Sequence, residues 1–300
     1  MLNNTLDKST VKLGFIGLGL MGGRLTRRLH ASGWKVQAWN RSPEPLAELR
    51  QAGIATAESI AGLVAESDVV LSCLANDAAV ESVYFDSGGV FSVAAPGTII
   101  LEMSTVSPAL SRSLHLQAAS KGVRLLDLAI SGSTPAVNAG AVTLLAGGDQ
   151  STFEECTPIY ESIARQWFLM GPGSSGVRMK LVVNLLLGVG MQALAEAVSL
   201  GEHLLIDRNV LLDVLSKTTV IPPALTGKIQ KIRDRDYSPQ FPLRLMSKDM
   251  DLVMEAAERS EVVLPAAAVV QFVLAASLAD DGDLDLAALA RAVDGHTTLV

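Results

Sequence analysis

The feature that most constrains this chain is a glycine-rich segment near its start. Residues 11–33 read VKLGFIGLGLMGGRLTRRLHASG, in which an apolar run precedes Gly17-x-Gly19-x-x-Gly22 and a segment of helical spacing follows it. This order predicts a strand, a tight turn and a helix whose open N-terminal N–H groups suit a pyrophosphate. Because strand and helix flank the glycines directly, the pattern favours dinucleotide binding over an ordinary glycine-rich loop. The residues that we expect to face the cofactor here are Gly17, Gly19, Leu20, Met21 and Gly22.

Alternating apolar and helical segments continue to about residue 170. Nearly continuous apolar runs, as is typical of parallel strands buried on both faces, lie at residues 68–75, 98–103 and 123–130. Residues 35–39, with Val36 and Ala38 on one face, and residues 142–146 and 167–170 are predicted as further short strands. Helical segments are predicted at residues 45–52, 58–66 and 107–121. This alternation predicts right-handed crossovers and an α/β fold with a doubly wound parallel sheet.

The pattern changes at the sequence GPGSSG, residues 171–176. Beyond it no segment is convincing as a strand, and long apolar-periodic segments occupy residues 177–205, 210–217, 243–258 and 265–279. We therefore expect a nucleotide-binding domain at residues 1–172 and an all-α domain at residues 173–300. The first helix of the second domain is about thirty residues long, against an average of about a dozen. Two explanations of this long apolar helix are open: it packs against a partner subunit, or it is buried within its own domain.

Charge and composition restrict the partners. The formal net charge of −7 argues against nucleic acid, whose phosphates would be repelled. The most apolar stretch, residues 181–195, is shorter than a membrane span and contains polar side chains, so we expect no membrane partner. Two distant cysteines, Cys73 and Cys156, favour a reducing compartment, and the polar first ten residues do not resemble a signal peptide. A cytoplasmic protein is expected.

The residues after the second predicted strand bear on the choice of cofactor. A carboxylate at this position favours NAD, whereas an arginine accommodates the 2′-phosphate of NADP. This chain has Asn40-Arg41-Ser42, which supplies a cation and polar donors but no acid. A polar turn with a solvated arginine is the simpler alternative. Given the glycine pattern upstream, we expect NADPH to be preferred over NADH.

Candidate catalytic residues follow the linker. Lys180 and Asn184 are four residues apart on the long helix, so their side chains share a face. A lysine there can give a proton to the oxygen of a carbonyl group whose carbon receives hydride, and Asn184 can hold a substrate oxygen. Taken alone, a helical lysine is more commonly a surface residue, and the interpretation depends on the residues that accompany it.

Polar residues follow two predicted strands, where ligands bind in sheets of this kind. Ser131, Gly132 and Ser133 follow residues 123–130 and can hold a carboxylate, although a simple turn of small residues explains them too. Ser104 and Thr105 follow residues 98–103 and are candidates for the nicotinamide or the substrate.

The remaining candidates are charged groups and histidines. Lys248 opens the run KDMD at residues 248–251, which is either functional or a solvated charge cluster. No metal motif is present, and no ligand spacing relates the four histidines, which are His30, His115, His203 and His296. We expect no metal.

The ordered set FIGLGLMG, NRS, EMST, DLAISGS, AGAVTLLAGG, GxxxKLVVN and KDMDLV resembles the β-hydroxyacid dehydrogenase family. This family includes 3-hydroxyisobutyrate dehydrogenase, tartronate semialdehyde reductase and the glyoxylate/succinic semialdehyde reductases. The resemblance implies an NAD(P)-dependent dehydrogenase acting on small hydroxy acids. It also implies a Rossmann domain followed by an all-α domain, and a homodimer or homotetramer.

The resemblance also implies roles for single residues. Lys180 would be the acid/base, Ser131 and Gly132 would bind the substrate carboxylate with Ser133 beside them, and Asn184 would bind the hydroxyl or carbonyl region. Lys248 would approach the cofactor, and further cofactor contacts are expected at Leu74 and Ala75.

The chain departs from the usual family pattern at Ser133, Ala75 and Glu102, where many members carry Gly, Pro and Asp. These departures leave the substrate open. Imine reductases share the architecture but usually carry Asp or Tyr at the position of Lys180, so the lysine favours a carbonyl substrate. A non-catalytic NADP-binding module is the remaining alternative.

Overall fold

In the computed structural model, which describes residues 5–293, the chain divides into two compact units, Met1–Lys180 and Leu181–Val300. The strands of the first unit are β1 (Lys12–Ile16), β2 (Lys35–Trp39), β3 (Ala55–Thr56), β4 (Val69–Ser72), β5 (Ile99–Glu102), β6 (Arg124–Ser131), β7 (Val142–Gly147) and β8 (Ala164–Leu169).

The helices between these strands are α1 (Gly22–Ala31), α2 (Glu44–Gln51), α3 (Ile60–Ala65), α4 (Asp77–Phe85), α5 (Val90–Val93), α6 (Pro108–Ser120), α7 (Thr134–Ala139), α8 (Gln150–Glu155) and α9 (Thr157–Ile163). Helix α10 (Ser175–His203) runs from the first unit into the second. The rest of the second unit contains α11 (Arg208–Lys217), α12 (Pro223–Asp234), α13 (Leu243–Arg259), α14 (Pro265–Asp281), a 3-10 turn (Leu286–Ala288) and α15 (Leu289–Arg291).

The eight strands form one sheet in the order β3-β2-β1-β4-β5-β6-β7-β8. The chain moves outward from β1 to β3 and then returns to place β4 on the other side of β1. This reversal opens a crevice at the carboxyl ends of β1 and β4, which is where such sheets bind ligands. The expected doubly wound α/β fold is confirmed.

One strand departs from the expected parallel arrangement. Strand β7 is antiparallel to β6, whereas the other neighbouring strands pair in parallel. The reason is the connection, residues 132–141, which is shorter than the dozen or so residues that a parallel crossover needs. The short connection nevertheless contains α7, which begins directly after Ser133.

Burial explains the apolar runs of the central strands. All four residues of β4 and all four of β5 are buried, because helices cover both faces of the sheet. Helix α1 packs its Leu25 and Leu29 against one face, and Leu114 of α6 packs in the core on the other. This rigid sheet carries the strand-end residues that were predicted to bind ligands.

Among its described residues, the second unit consists of helices and connecting loops, with one isolated β-bridge between Pro242 and Asp285. Its core gathers apolar side chains of several helices, among them Met191 of α10, Ile229 of α12, Met246 of α13 and Val273 of α14. Helix α10 has 29 residues, as its pattern predicts. By length and composition it could also cross a membrane, a test that core helices of soluble proteins pass as well, and 44% of its most apolar window is buried within the protein.

Candidate cofactor and active site

The glycine-rich turn has the geometry that a pyrophosphate requires. Gly17 adopts a φ of 92°, and a Cβ at this position would collide with the carbonyl oxygen of Cys73. A Cβ on Gly22 would collide with the carbonyl oxygen of Gly17, so helix α1 starts in direct contact with the turn. Around Gly19 the space is open, with no atom within 4 Å of a Cβ. No side chain caps α1, so the first turn of the helix is left for a ligand. The turn therefore fits a dinucleotide.

Asn40 ties the end of β2 to this turn. Its Oδ1 accepts a hydrogen bond from the N–H of Leu18 at 2.9 Å, and its Nδ2 donates to the carbonyl oxygen of Ser42 at 3.0 Å. Arg41 and Ser42 are exposed next to it. The structure thus gives Asn40 a positioning role that no sequence pattern indicated. The side chains of Arg41 and Ser42 remain accessible to a ligand beside the glycine-rich turn.

The loops after β4 and β5 are joined by a hydrogen bond. The hydroxyl of Ser104 accepts from the N–H of Leu74 at 2.8 Å. Ser104 is buried, Leu74 and Thr105 are half-buried, and Ala75 is exposed. The side chain of Leu74 also lies against Gly17. The structure therefore brings the predicted residues of these two loops together beside the glycine-rich turn.

The predicted carboxylate site lies at the end of β6. Ser131 is the last residue of the strand, Gly132 has a φ of 148°, and Ser133 precedes the first residue of α7. Gly132 is exposed, and both serines are half-buried. A Cβ on Gly132 would lie 3.0 Å from a methyl group of Val142, so a side chain would crowd this turn. The predicted binding site for the substrate carboxylate therefore contains two hydroxyl groups and the exposed backbone of Gly132.

A buried carboxylate fixes the start of α10. Asp127 of β6, which is 1% exposed, accepts hydrogen bonds from the N–H groups of Ser174 at 2.7 Å and Val177 at 2.9 Å. Its Oδ1 also lies 2.7 Å from Nε2 of His115 on α6. The carboxylate thus caps two N–H groups of the helix and meets its positive end.

Two glycines allow this close approach. A Cβ on Gly147 would lie 2.6 Å from Oδ1 of Asp127, and one on Gly176 would lie 2.7 Å from the carbonyl oxygen of the same residue. Lys180 follows on the same helix and is 9% exposed. It is therefore no ordinary surface lysine, and its backbone is held relative to the sheet. No sequence pattern indicates these roles of Asp127 and His115, and the available signal is a single acid within an apolar strand.

In the second unit, Asn184 binds a residue of the KDMD run. Asn184 is fully buried, and its Nδ2 donates to Oδ2 of Asp249 at 2.5 Å. Among the described residues, nothing donates to the buried Oδ1 of Asn184. Nζ of Lys248 lies 2.9 Å from the other oxygen of Asp249, which is 2% exposed. The alternative of a solvated charge cluster is therefore wrong for Asp249. The free oxygen of Asn184 is an acceptor that a hydroxyl would satisfy.

Within residues 5–293, no group of three or more His, Cys, Asp or Glu side chains is placed to hold a metal ion. Of the four histidines considered from the sequence, His296 lies outside the described residues.

Comparison with known families agrees with this architecture. Residues 12–171 match the model described as the NAD binding domain of 6-phosphogluconate dehydrogenase. Residues 174–293 match the model described as NAD-binding of NADP-dependent 3-hydroxyisobutyrate dehydrogenase.

Individual proteins are similar along nearly the whole chain. Glyoxylate/succinic semialdehyde reductase 1 of Arabidopsis thaliana is 33% identical over 285 residues, which cover 94% of this chain and 98% of the relative. The NAD-dependent L-serine dehydrogenase of Pseudomonas aeruginosa is 34% identical, over 85% of this chain and 88% of the relative. The structure of Mycobacterium tuberculosis 3-hydroxyisobutyrate dehydrogenase with L-serine superposes with a TM-score of 0.82 at 29% identity, covering 94% of this chain and 98% of that one.

The resemblance inferred from the sequence is thus confirmed by family-model matches over both halves of the chain, and by relatives that are named as dehydrogenases and reductases. The chain belongs to the β-hydroxyacid dehydrogenase family and is an NAD(P)-binding oxidoreductase.

Proposed function

We propose that this enzyme uses NADPH to interconvert a small aldehyde or keto acid, such as a semialdehyde or glyoxylate, and the corresponding hydroxy acid. The observation that carries the proposal is the burial of Lys180 on a helix whose start is tied to the sheet by Asp127. A protein that only bound the nucleotide would have no use for a buried ammonium group on this helix.

Lys180 is proposed as the general acid and base. When bound, the nicotinamide supplies or receives the hydride. Nζ of Lys180 donates a proton to the carbonyl oxygen as that oxygen becomes a hydroxyl, and in the oxidative direction it takes the proton back. A positioned acid of this kind contributes about 10²- to 10⁴-fold to the rate.

Ser131, Gly132 and Ser133 are proposed to bind the substrate carboxylate through hydroxyl and backbone donors. The buried, unpartnered Oδ1 of Asn184 is proposed to accept from the substrate hydroxyl. The substrates named for the two curated relatives include glyoxylate, succinic semialdehyde and L-serine, and all three carry a carboxylate. A small carboxylated substrate is therefore favoured for this chain.

For the cofactor, the residues of the glycine-rich turn are proposed to hold the pyrophosphate. Arg41 and Ser42 would bind the 2′-phosphate of NADPH, because both are exposed at the end of β2 next to the anchored Asn40. Leu74, Ala75, Ser104, Thr105 and Lys248 are proposed as further cofactor contacts. One relative is named as NAD-dependent, so the nucleotide preference requires a direct comparison.

We also infer a homodimer or homotetramer that assembles through the all-α domain, proposed as residues 173–300. Several large apolar side chains of this domain are more than half exposed: Val182, Leu186 and Leu200 on α10, Leu204 and Leu205 after it, Val210 and Val214 on α11, and Val269 and Phe272 on α14. Exposed apolar patches of this kind mark interaction surfaces. A cytoplasmic location is part of the same proposal.

The deciding experiment is a nucleotide-oxidation screen with NADPH and NADH in parallel. The substrates are glyoxylate, succinic semialdehyde, tartronate semialdehyde, methylmalonate semialdehyde and a cyclic imine. We expect turnover with at least one carboxylated aldehyde and faster turnover with NADPH. Activity confined to the cyclic imine would select imine reduction instead, and tight nucleotide binding without any turnover would select a non-catalytic module.

A further inference from the structure

Three polar side chains form a buried row across the centre of the sheet. Ser72 at the end of β4 is the register partner of Glu102 at the end of β5, and Glu102 is the partner of Asp127 in β6. Each of the three is at most 1% exposed. Register partners in a sheet lie side by side on one face, so two carboxyl groups are neighbours in the protein interior.

The two carboxyl groups have unequal surroundings. Asp127 is satisfied by two backbone N–H groups at the start of α10 and by the ring of His115. Glu102 uses only Oε1, which accepts from the N–H of Ser104 at 3.0 Å and from the hydroxyl of Ser72 at 3.4 Å. Its Oε2 is buried and has no hydrogen-bond partner among the described residues.

The groups around Glu102 disfavour a second negative charge. Burial is the main cause that raises the pKa of Glu102 to about 7, and the nearby Asp127 raises it further, against the lowering effect of Ser104 and Ser72. The other titratable neighbour is Tyr84 of α4, whose hydroxyl lies 2.7 Å from that of Ser72 and whose pKa is raised well above its usual value by burial. No cation is among the groups that shift Glu102. These surroundings favour the protonated form of Glu102 below about pH 7.

Glu102 is also linked to the proposed cofactor site. One of the donors to Glu102 is the N–H of Ser104, and the hydroxyl of Ser104 in turn accepts a hydrogen bond from the N–H of Leu74. One short chain of hydrogen bonds thus runs from Glu102 through the loop after β5 to the loop after β4. Leu74 also lies against Gly17 of the glycine-rich turn.

We propose that Glu102 is a positioning residue of the cofactor site and that it works as a neutral carboxylic acid which holds the loops of Ser104 and Leu74 together. This inference rests on the proposed cofactor role of those loops. When Glu102 ionises, its unpartnered oxygen lacks a donor and Asp127 repels it. The side chain is then driven toward water, and the two loops lose their common anchor.

The test compares NADPH affinity between pH 6 and pH 8 in the wild-type protein and in Glu102→Gln. The glutamine keeps the acceptor for Ser104 but cannot ionise. If only the neutral form binds, the wild-type dissociation constant rises about tenfold by pH 8, whereas that of Glu102→Gln changes much less. The 2′-phosphate of the nucleotide titrates equally in both proteins, so the difference between them isolates Glu102. Glu66→Gln, which alters an exposed acid, is the control and should follow the wild type.

A second measurement needs no nucleotide. Infrared difference spectra of the cofactor-free protein should show a protonated carboxyl band that disappears as the pH rises through about 7 and is missing in Glu102→Gln. Absence of this band in the wild type, or the same pH dependence of affinity in both proteins, overturns the inference. If the wild type binds neither nucleotide at any pH, the proposed function fails instead, and the band reports the protonation of Glu102 independently of that failure.

Discussion

Lys180 is the residue on which the proposed chemistry depends. Replacing it with alanine removes the ammonium group but leaves the glycine-rich turn and the start of α10 intact. We expect kcat to fall by about 10²- to 10⁴-fold, the usual contribution of a general acid. NADPH affinity, measured by fluorescence titration, should change little.

The matched control for Lys180→Ala is Lys217→Ala, which removes an exposed lysine of α11 that pairs with Asp213. It should leave kcat unchanged. Turnover of the Lys180 variant near that of the wild type would show that another group supplies the proton.

Arg41 tests the proposed choice of nucleotide. Its guanidinium is expected to form charge-assisted hydrogen bonds with the 2′-phosphate, which NADH lacks. In Arg41→Ala the ratio of kcat/KM for NADPH to that for NADH should fall about 10- to 100-fold, mainly through weaker NADPH binding. Arg112→Ala on the exposed side of α6 serves as control. An unchanged ratio would mean that Arg41 is a solvated turn residue.

At the residue scale, the sequence predicted the role of a residue where that role depends on neighbours close by in the chain. Gly17 and Gly22 were expected in a tight turn, and a Cβ at either position would collide with the backbone nearby. The sequence did not predict the role of a residue whose hydrogen-bond partners are distant along the chain. Asp127 caps N–H groups 47 and 50 residues away, and no spacing rule relates those positions. Asn40 likewise tethers Leu18 across 22 residues.

At the scale of elements, the central strands β4, β5 and β6 were predicted well because burial on both faces leaves their apolar runs continuous. The two-residue β3 was missed, and β8 was predicted only in part because half of its residues are exposed. Helix α12 was missed, although Leu225, Ile229 and Ile232 follow helical spacing. The buried Lys228 and Lys231 on the same helix broke the apolar pattern. Their charges are met by Asp285 and Asp236, partners that the pattern of α12 alone does not reveal. The short helices α7, α8 and α9 were missed because they are too brief to establish a period.

The start of α10 is the element whose position we expect to matter most. In His115→Ala, Asp127 loses a ring donor while remaining buried, so unfolding in urea should show a loss of about 1–3 kcal/mol. Because Lys180 follows on this helix, kcat should also fall, with KM for the substrate less affected. His115→Gln retains an N–H donor and should restore both quantities in large part.

The exposed His30 of α1 provides the control for this series, since His30→Ala leaves the start of α10 untouched. A loss of stability in His115→Ala without any change in kcat would show that the cap serves folding alone.

For the molecule as a whole, the order of motifs along the chain is enough to indicate the family, because each motif marks a strand end or a helix start. The matched family regions, residues 12–171 and 174–293, adjoin at the linker where the sequence pattern changes. The compact units instead divide after Lys180, since the first turn of α10 packs with the sheet. The sequence pattern does not show which apolar surfaces of the helices stay exposed in the folded chain.

Those uncovered surfaces lead to the prediction of an assembly. Leu186 of α10 is 71% exposed and Phe272 of α14 is 62% exposed, and placing such side chains in water is unfavourable unless a partner covers them. We expect light scattering coupled to size exclusion to give the mass of a dimer or tetramer. Leu186→Glu and Phe272→Glu should each shift the protein toward smaller species. Leu116→Glu, at a 67% exposed leucine of α6 in the nucleotide-binding unit, should not. A monomeric wild-type protein would mean that these side chains serve another partner, because covering them would then not require a second copy of the chain.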